Sequence, residues 1–494
     1  MTQQTLDLAI SDGTVADGSG APAFAADVGI AGGRIVAVGA LAQPAERVID
    51  ARGLVVAPGF IDVHSHDDMA LIRGPRLDFK MMQGVTTVVV GNCGSGVAPV
   101  TAAYRQHYEI FLSSVLGPAA DFSWSTTAEF YAALEKAGPS LNVAAFAPHG
   151  TLRFAVIGME PRPLSSVEME QMKELLEEAL ATGAIGLSSG LVYAPGAFAT
   201  TEELVELCRV VARHGGIYAS HIRNESDHLL EAVEEAISIG REAGVPVQIS
   251  HHKASGRRNW GKVVDSLALI DRARAEGLDV TVDVYPYTAG STLLSMILAG
   301  GAEEGGLEDV LVAAAPRHPE LEGKSLQQIG ELMALPPLEA GQKLVQEDPS
   351  AVAIVFSMAE EDVRRVMAHP AAMFGSDGIP SAGGKPHPRL YGTFPRVLGT
   401  YVRREKVLGL EEAVHKMTDL PARKHRLAER GRLAPGYHAD VTVFDPRTIN
   451  DIAIYQDPRR YPDGIRYVIV NGEVVVEASR HTGKSAGRVL RAGG

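Results

Sequence analysis

The chain has 494 residues, of which 46% are hydrophobic and 21% charged, the profile of a soluble globular protein too long for one ordinary core. Its 46 Lys and Arg against 60 Asp and Glu give a net charge of -14 with no basic stripe, which argues against a nucleic-acid partner. Two cysteines, Cys93 and Cys208, exclude a disulfide framework and suit a reducing cytoplasm. With no signal-peptide pattern and no membrane-length apolar run, a soluble, cytoplasmic protein is expected.

Residues 1–58 alternate in short segments, among them Leu6 to Ile10, Val28 to Ile30, Arg34 to Val38 and Arg47 to Asp50, with a hairpin turn at Ala31-Gly-Gly33. The same texture returns at Asp440 to Phe444, then at Tyr467 to Val470 and Glu473 to Val476 around Asn471-Gly472. Two β-rich ends around a different middle predict one small β-sandwich domain, built from residues 1–58 and from 426–494, the latter including a C-terminal tail.

Between them, over 59–425, apolar runs alternate with helical patterns. The runs include Thr86 to Val90, Val143 to Phe146, Ile185 to Leu187, Gly216 to Ser220, Val245 to Ile249 and Val280 to Val284, and they read as buried parallel strands. Helical spacing follows over Ser166 to Leu180, Thr201 to Arg213 and His228 to Ile237. Repeated strand-helix units of this kind predict an α/β chain forming a (β/α)8 TIM-like barrel. No glycine-rich phosphate fingerprint favours an open doubly wound sheet. From about 291 to 350 the rhythm breaks into Gly, Ala, Pro and Glu, with helical pieces expected around Leu307 to Ala315 and Ser325 to Met333. Such an insertion at a barrel's catalytic end reads as a lid.

Barrel chemistry sits where strands end. The strand-like Phe60-Ile-Asp-Val63 runs into His64 and His66, whose i, i+2 spacing lets both imidazoles face one point. Later strand ends supply Cys93, His149, Tyr193, His221, His251, Tyr285 and Asp377. Imidazole, thiolate and carboxylate are ligands that suit Zn2+, whose catalytic sites keep one position open. Cys208 belongs to a helical apolar stripe, and His252 points away from His251 in an extended chain. His149 suits either a ligand-supporting role or the core; His425 and His438 read as structural.

The motifs Pro58-Gly-Phe-Ile-Asp-Val-His-Ser-His-Asp-Asp68, Gly84 to Gly94 with Asn92-Cys93-Gly94, and Gly186 to Pro195 resemble the D-aminoacylase (N-acyl-D-amino-acid deacylase) family of the amidohydrolase superfamily. So do Ser220-His-Ile-Arg-Asn-Glu225, Ser250-His-His-Lys253, Asp283-Val-Tyr-Pro-Tyr287, Gly375-Ser-Asp-Gly378 and Lys385 to Phe394, and the likeness spans nearly the whole chain. It implies hydrolysis of the linear amide of N-acyl-D-amino acids. One tight zinc would be held by Cys93, His221 and His251, with a weaker second position at His64 and His66. It further implies Asp377 as acid/base, Tyr193 as oxyanion donor, and Lys253, Tyr285, Ser291 and Arg389 as groups binding the substrate. Cys93 stands where many relatives carry a carboxylated lysine. The apolar lid start, Ala289 to Leu298, has no cation for an acidic side chain, so neutral hydrophobic residues such as Leu, Met or Phe are the expected substrates. The rival readings are a cyclic-amide hydrolase, an enzyme acting on acyl-L-amino acids or dipeptides, and a metal-free barrel scaffold. Oligomeric state is not legible.

Overall fold

The computed structural model describes residues 5–108, 122–299, 306–381 and 383–492. Eight parallel strands form its centre: Phe60–Asp62, Val85–Val90, Asn142–Ala145 (continued by Ala147–Pro148), Gly186–Gly190, Ile217–His221, Val247–Ile249, Val280–Val284 and Ala372–Phe374. Every residue of these strands is buried. That is the condition of a parallel sheet covered on both faces, and it explains why the strands read as unbroken apolar runs. The ladder passes from strand to strand in chain order. It closes through a bridge between Ser65 and Gly378, just beyond the first and last strands. The result is a closed barrel with all strand ends at one mouth.

Its outer helices carry the expected local signals. Ser166–Thr182 opens on a capping box made by Ser165 and Glu168 and stops at Gly183, φ 118°. Thr201–Arg213 is capped by Thr200 and turns Leu204, Leu207, Cys208 and Val211 inward, which puts Cys208 in the core.

The two chain ends form one nine-stranded sheet, in which Val55–Pro58 pairs antiparallel with Val441–Phe444. Ile10, Val28, Ile30, Val56, Val443 and Ile469 fill its separate core. Past this sheet the chain returns to the barrel. Val143 donates to the Arg488 carbonyl at 2.9 Å and accepts from Leu490 N–H at 2.7 Å, and Ala492 N–H reaches the Gly183 carbonyl at 2.9 Å. Leu490 and Ala492 pack with Ile61, Val89 and Ile185 inside the barrel, toward the end opposite the mouth.

The insertion after the seventh strand is a small α/β unit with its own core, including Leu294, Val312, Ile329, Leu344 and Val355. Its antiparallel sheet joins Gly290–Leu293, Val352–Val355 and Val310–Ala314. The expected helix around Leu307 to Ala315 is absent. Leu307–Asp309 is a single 3-10 turn and Val310–Ala314 is a strand. Val310 and Val312 alternate inward and gain cross-strand partners in Val355 and Ala353, which outweighs the helix preference of the Leu and Ala around them. The expected helix over Ser325 to Met333 forms as Leu326–Met333, capped by Ser325.

Candidate metal centre and active site

Cys93 lies at the centre of the barrel mouth. Two glycines with positive φ, Gly91 (73°) and Gly94 (66°), make the turn after the second strand, and Cys93 itself has φ 53°. A Cβ at Gly94 would come within 2.8 Å of Gly190 N, so only glycine fits this approach. His251 (φ 34°) and Asp377 (φ 47°) share the left-handed conformation, a cost of order 1–3 kcal/mol each that persists only where the surroundings impose it.

The Cys93 Sγ lies 3.2 Å from His64 Nε2 and 3.5 Å from His251 Nε2. Tetrahedral zinc with its usual bond lengths would separate sulfur and nitrogen ligands by about 3.5 Å, so the donor set fits that ion. His64, Cys93 and His251 form one candidate triad; His64, His66 and Asp377 a second; His221, Glu225 and His251 a third. The His221 and His251 rings are 4.4 Å apart. Among the described residues, His66 Nδ1 and His221 Nδ1 are buried without a hydrogen-bond partner. Burial alone would push the Cys93 thiol up, but the imidazoles of His64, His251 and His221 hold it well below the usual thiol range. That favours the thiolate, the form that binds metal.

The candidate ligand rings are themselves held. Asp283, on the seventh strand, lies 3.2 Å from His64 Nδ1 and accepts from Gln248 Nε2 at 2.7 Å and from His251 N–H at 2.8 Å. Glu225 Oε1 lies 2.8 Å from His251 Nδ1. Such carboxylate partners fix the tautomer and orientation of a ligand histidine. Below them Lys80, fully buried, donates to Asp62 Oδ2 and Ser376 Oγ, both at 2.6 Å. Asp62 in turn accepts from Ser376 N–H at 2.8 Å. These three side chains stitch the seam between the first and last strands, where the regular ladder is thin. Sequence reading did not single out Glu225, Asp283, Asp62 or Lys80. Glu225 and Asp283 stood inside quoted motifs, but the histidines they orient come from other strands, and a single sequence does not show that pairing.

Asp377 follows the eighth strand and donates its N–H to the His64 carbonyl at 2.8 Å. A Cβ at Gly375 would meet His64 Cβ at 2.5 Å, so glycine lets the two strand ends close up. Asp377 Oδ1 lies 3.2 Å from His66 Nε2 and 3.5 Å from His64 Nε2, and Oδ2 lies 3.0 Å from Arg389. Against the upward push of burial, Arg389 and the imidazoles hold the Asp377 carboxyl well below its usual range.

Over this floor lies a pocket of about 80 Å3, with Tyr193, Lys253, Tyr285, Ser291, Thr292, Leu293, Val355 and Ile379 in its lining. Tyr193 packs edge-on to His221 at 4.9 Å, and its hydroxyl is 3.3 Å from Thr292 Oγ1 of the lid. Lys253 donates to Glu225 Oε1 at 2.5 Å. The Arg389 guanidinium lies 4.5 Å from the Tyr285 ring centroid and donates to the Ser291 carbonyl at 3.4 Å. All eleven residues expected from sequence therefore converge on the mouth, drawn from seven strand ends, the lid and one helix start. Other histidines lie elsewhere. His252 turns back to Ser266 Oγ at 2.9 Å, His149 is buried against Glu203 at 2.9 Å, and His425 donates to the Pro421 carbonyl at 2.8 Å.

A closed parallel barrel with imidazole, thiolate and carboxylate groups at its mouth defines the class, and the Amidohydrolase family matches residues 47–322 and 264–476. The chain is 44% identical to D-aminoacylase of Alcaligenes xylosoxydans xylosoxydans, covering 99% of this chain and 98% of that protein. It is also 44% identical to N-acyl-D-glutamate deacylase of the same organism, covering 99% and 97%. A crystal structure of N-acyl-D-glutamate deacylase from Bordetella bronchiseptica, complexed with zinc and a phosphonate mimic of the tetrahedral intermediate, superposes with a TM-score of 0.91. It is 42% identical and the match spans 99% of this chain and all of that one. The chain belongs to the D-aminoacylase family of amidohydrolases.

Proposed function

We propose that this protein is a zinc-dependent hydrolase of N-acyl-D-amino acids that releases a carboxylate and a free D-amino acid. The observation that carries the reading is Cys93 set between His64 and His251 with Asp377 facing the same point. Cys93, His221 and His251 hold the tight zinc, and His64 and His66 offer a weaker second position. Zinc at this place polarises the amide carbonyl and lowers the pKa of water. Asp377 takes the proton from the attacking water and returns it to the leaving nitrogen. Tyr193 donates to the oxygen that gains charge as the carbonyl becomes tetrahedral.

Arg389, Lys253, Tyr285 and Ser291 bind the α-carboxylate of the substrate. Arg389 must leave Asp377 to do so, which frees the acid/base as the substrate arrives. For the side chain, 44% identity to both the D-aminoacylase and the N-acyl-D-glutamate deacylase does not separate the alternatives. The lining does. The two paired lid strands present Leu293 and Val355, with Ile379 also in the lining, and offer no cation of their own. Neutral, hydrophobic D-residues are therefore the proposed substrates. We place the reaction in the cytoplasm, in keeping with two unpaired thiols and with the absence, among the described residues, of any helix long and apolar enough to cross a membrane.

The test is release of free amine from N-acetyl-D-leucine and N-acetyl-L-leucine by zinc-loaded enzyme, with Asp377→Ala as control. Turnover of the D-form alone is expected, reduced by about 10²- to 10⁴-fold in the control while the tightly bound zinc is retained. Preferential cleavage of the L-form would overturn the stereochemical assignment. Higher activity on N-acetyl-D-glutamate than on N-acetyl-D-leucine would overturn the side-chain assignment.

A further inference from the structure

The segment Lys385-Pro-His387-Pro-Arg389 leads into the helix Arg389–Arg396, and the chemistry above uses only its arginine. His387 is 4% exposed and both of its ring nitrogens are engaged. Nε2 donates to the Ala289 carbonyl at 2.9 Å, and Nδ1 accepts from the Arg389 backbone N–H at 3.0 Å. This pairing fixes one tautomer, because an imidazolium would have no acceptor left for Arg389. Burial, reinforced by the Arg389 charge, holds the ring well below the usual histidine range and so keeps it neutral.

Three parts of the molecule meet on this imidazole. Ala289 is the root of the lid and immediately precedes the strand Gly290–Leu293, in which Ser291 faces the pocket. Tyr287, just past the seventh barrel strand, packs edge-on at 5.1 Å. Tyr455 of the C-terminal β domain packs edge-on from another side at 5.1 Å and also touches Phe356, where the lid ends. Pro386 and Pro388 restrict the backbone on both sides. Arg389 is thus anchored at its backbone by His387, while its side chain is shared between Asp377 and the Ser291 carbonyl. A guanidinium that has to swing from Asp377 to a substrate carboxylate needs a fixed pivot, since two charge-assisted bonds to one carboxylate tolerate little misplacement.

We propose that His387 is a positioning residue for recognition of the substrate carboxylate: it ties the start of the Arg389 helix to the root of the lid, so that the arginine and the strand carrying Ser291 keep one geometry. The proposal rests on the reading of Arg389 as the carboxylate-binding group, and its test separates the two.

The zinc-loaded enzyme is assayed on N-acetyl-D-leucine and on N-acetyl-D-leucinamide, which lacks the carboxylate, in the parent and in His387→Ala, His387→Asn, His387→Gln and Arg389→Ala. Asparagine places an amide oxygen near Nδ1 and retains an acceptor for Arg389 N–H. Glutamine places an amide nitrogen near Nε2 and retains a donor to Ala289. The alanine variant is expected to raise KM for N-acetyl-D-leucine about tenfold, with kcat held within about threefold. Its kcat/KM on the leucinamide should stay near that of the parent, and each conservative variant should recover part of the lost KM. Equal losses on both substrates in all three His387 variants would mean that the ring only supports packing, and would overturn the proposal. Should the alanine variant fail to fold, the asparagine and glutamine variants carry the same comparison. If Arg389→Ala prefers the acid over the amide as strongly as the parent, the reading of Arg389 falls. If Arg389→Ala loses that preference while every His387 variant keeps it, only the role of His387 falls.

Discussion

The barrel mouth and the lid face each other across the pocket, and they are built in opposite ways. At the mouth, Cys93, His64, His66, His221, His251 and Asp377 are all buried. Each stands at a strand end, and the carboxylates Asp283 and Glu225 hold His64 and His251 in place. The lid strand Gly290–Leu293 is half-buried along its whole length, and its residues meet the pocket through a small sheet with a core of its own. A metal site needs ligands held to fractions of an ångström, which parallel strands with buried partners provide. Selection among side chains needs shape and charge that can vary without disturbing those ligands. A separately cored insertion provides that.

If this division is correct, substitutions on the two sides fail in different ways. Cys93→Ala should have the largest effect, with metal and activity lost together; metal content per chain after gel filtration, measured beside turnover, checks it. Retained zinc with lost activity would instead make Cys93 a residue of the chemistry. Glu225→Gln should weaken zinc binding by about 10- to 100-fold, because His251 loses its orienting carboxylate. Excess zinc should restore most of the turnover, and a titration against a competing chelator measures the shift. Leu293→Lys should leave zinc affinity unchanged and lower kcat/KM on N-acetyl-D-leucine by about tenfold, while raising it on N-acetyl-D-glutamate. A change in zinc affinity in this variant would break the separation of the two regions.

The same division governs what could be read from the sequence. Strand ends announce themselves, because a parallel strand is an unbroken apolar run and the first polar residues after it lie at the mouth. His64, Cys93, His221 and His251 were legible for that reason, and so was Asp377 in Gly375-Ser-Asp-Gly378. The partners that orient them were not. Glu225 serves a histidine from the next strand, and Lys80 is a buried lysine that joins Asp62 and Asp67 to Ser376, 296 residues further along the chain. Both read locally as ordinary charged residues. In the lid, the run Val310-Leu-Val-Ala-Ala suits a helix or a strand about equally, and only its pairing with Val352–Val355 decides. Arg389 was assigned through resemblance alone, and its contact with Asp377 emerges only from the fold.

The pairing of Val55–Pro58 with Val441–Phe444 also sets a timetable for synthesis. The first of these strands emerges early, apolar and with an unpaired edge, and its antiparallel neighbour is translated more than 380 residues later. At roughly 5–20 residues per second, that edge waits on the order of 20 to 80 seconds for its partner. During this interval the growing chain carries an adhesive Val-Val-Ala stretch, and the residues from Arg488 to Ala492 that brace the far end of the barrel have not yet been made. Completion of this sheet therefore waits on a strand made long after the edge that it covers.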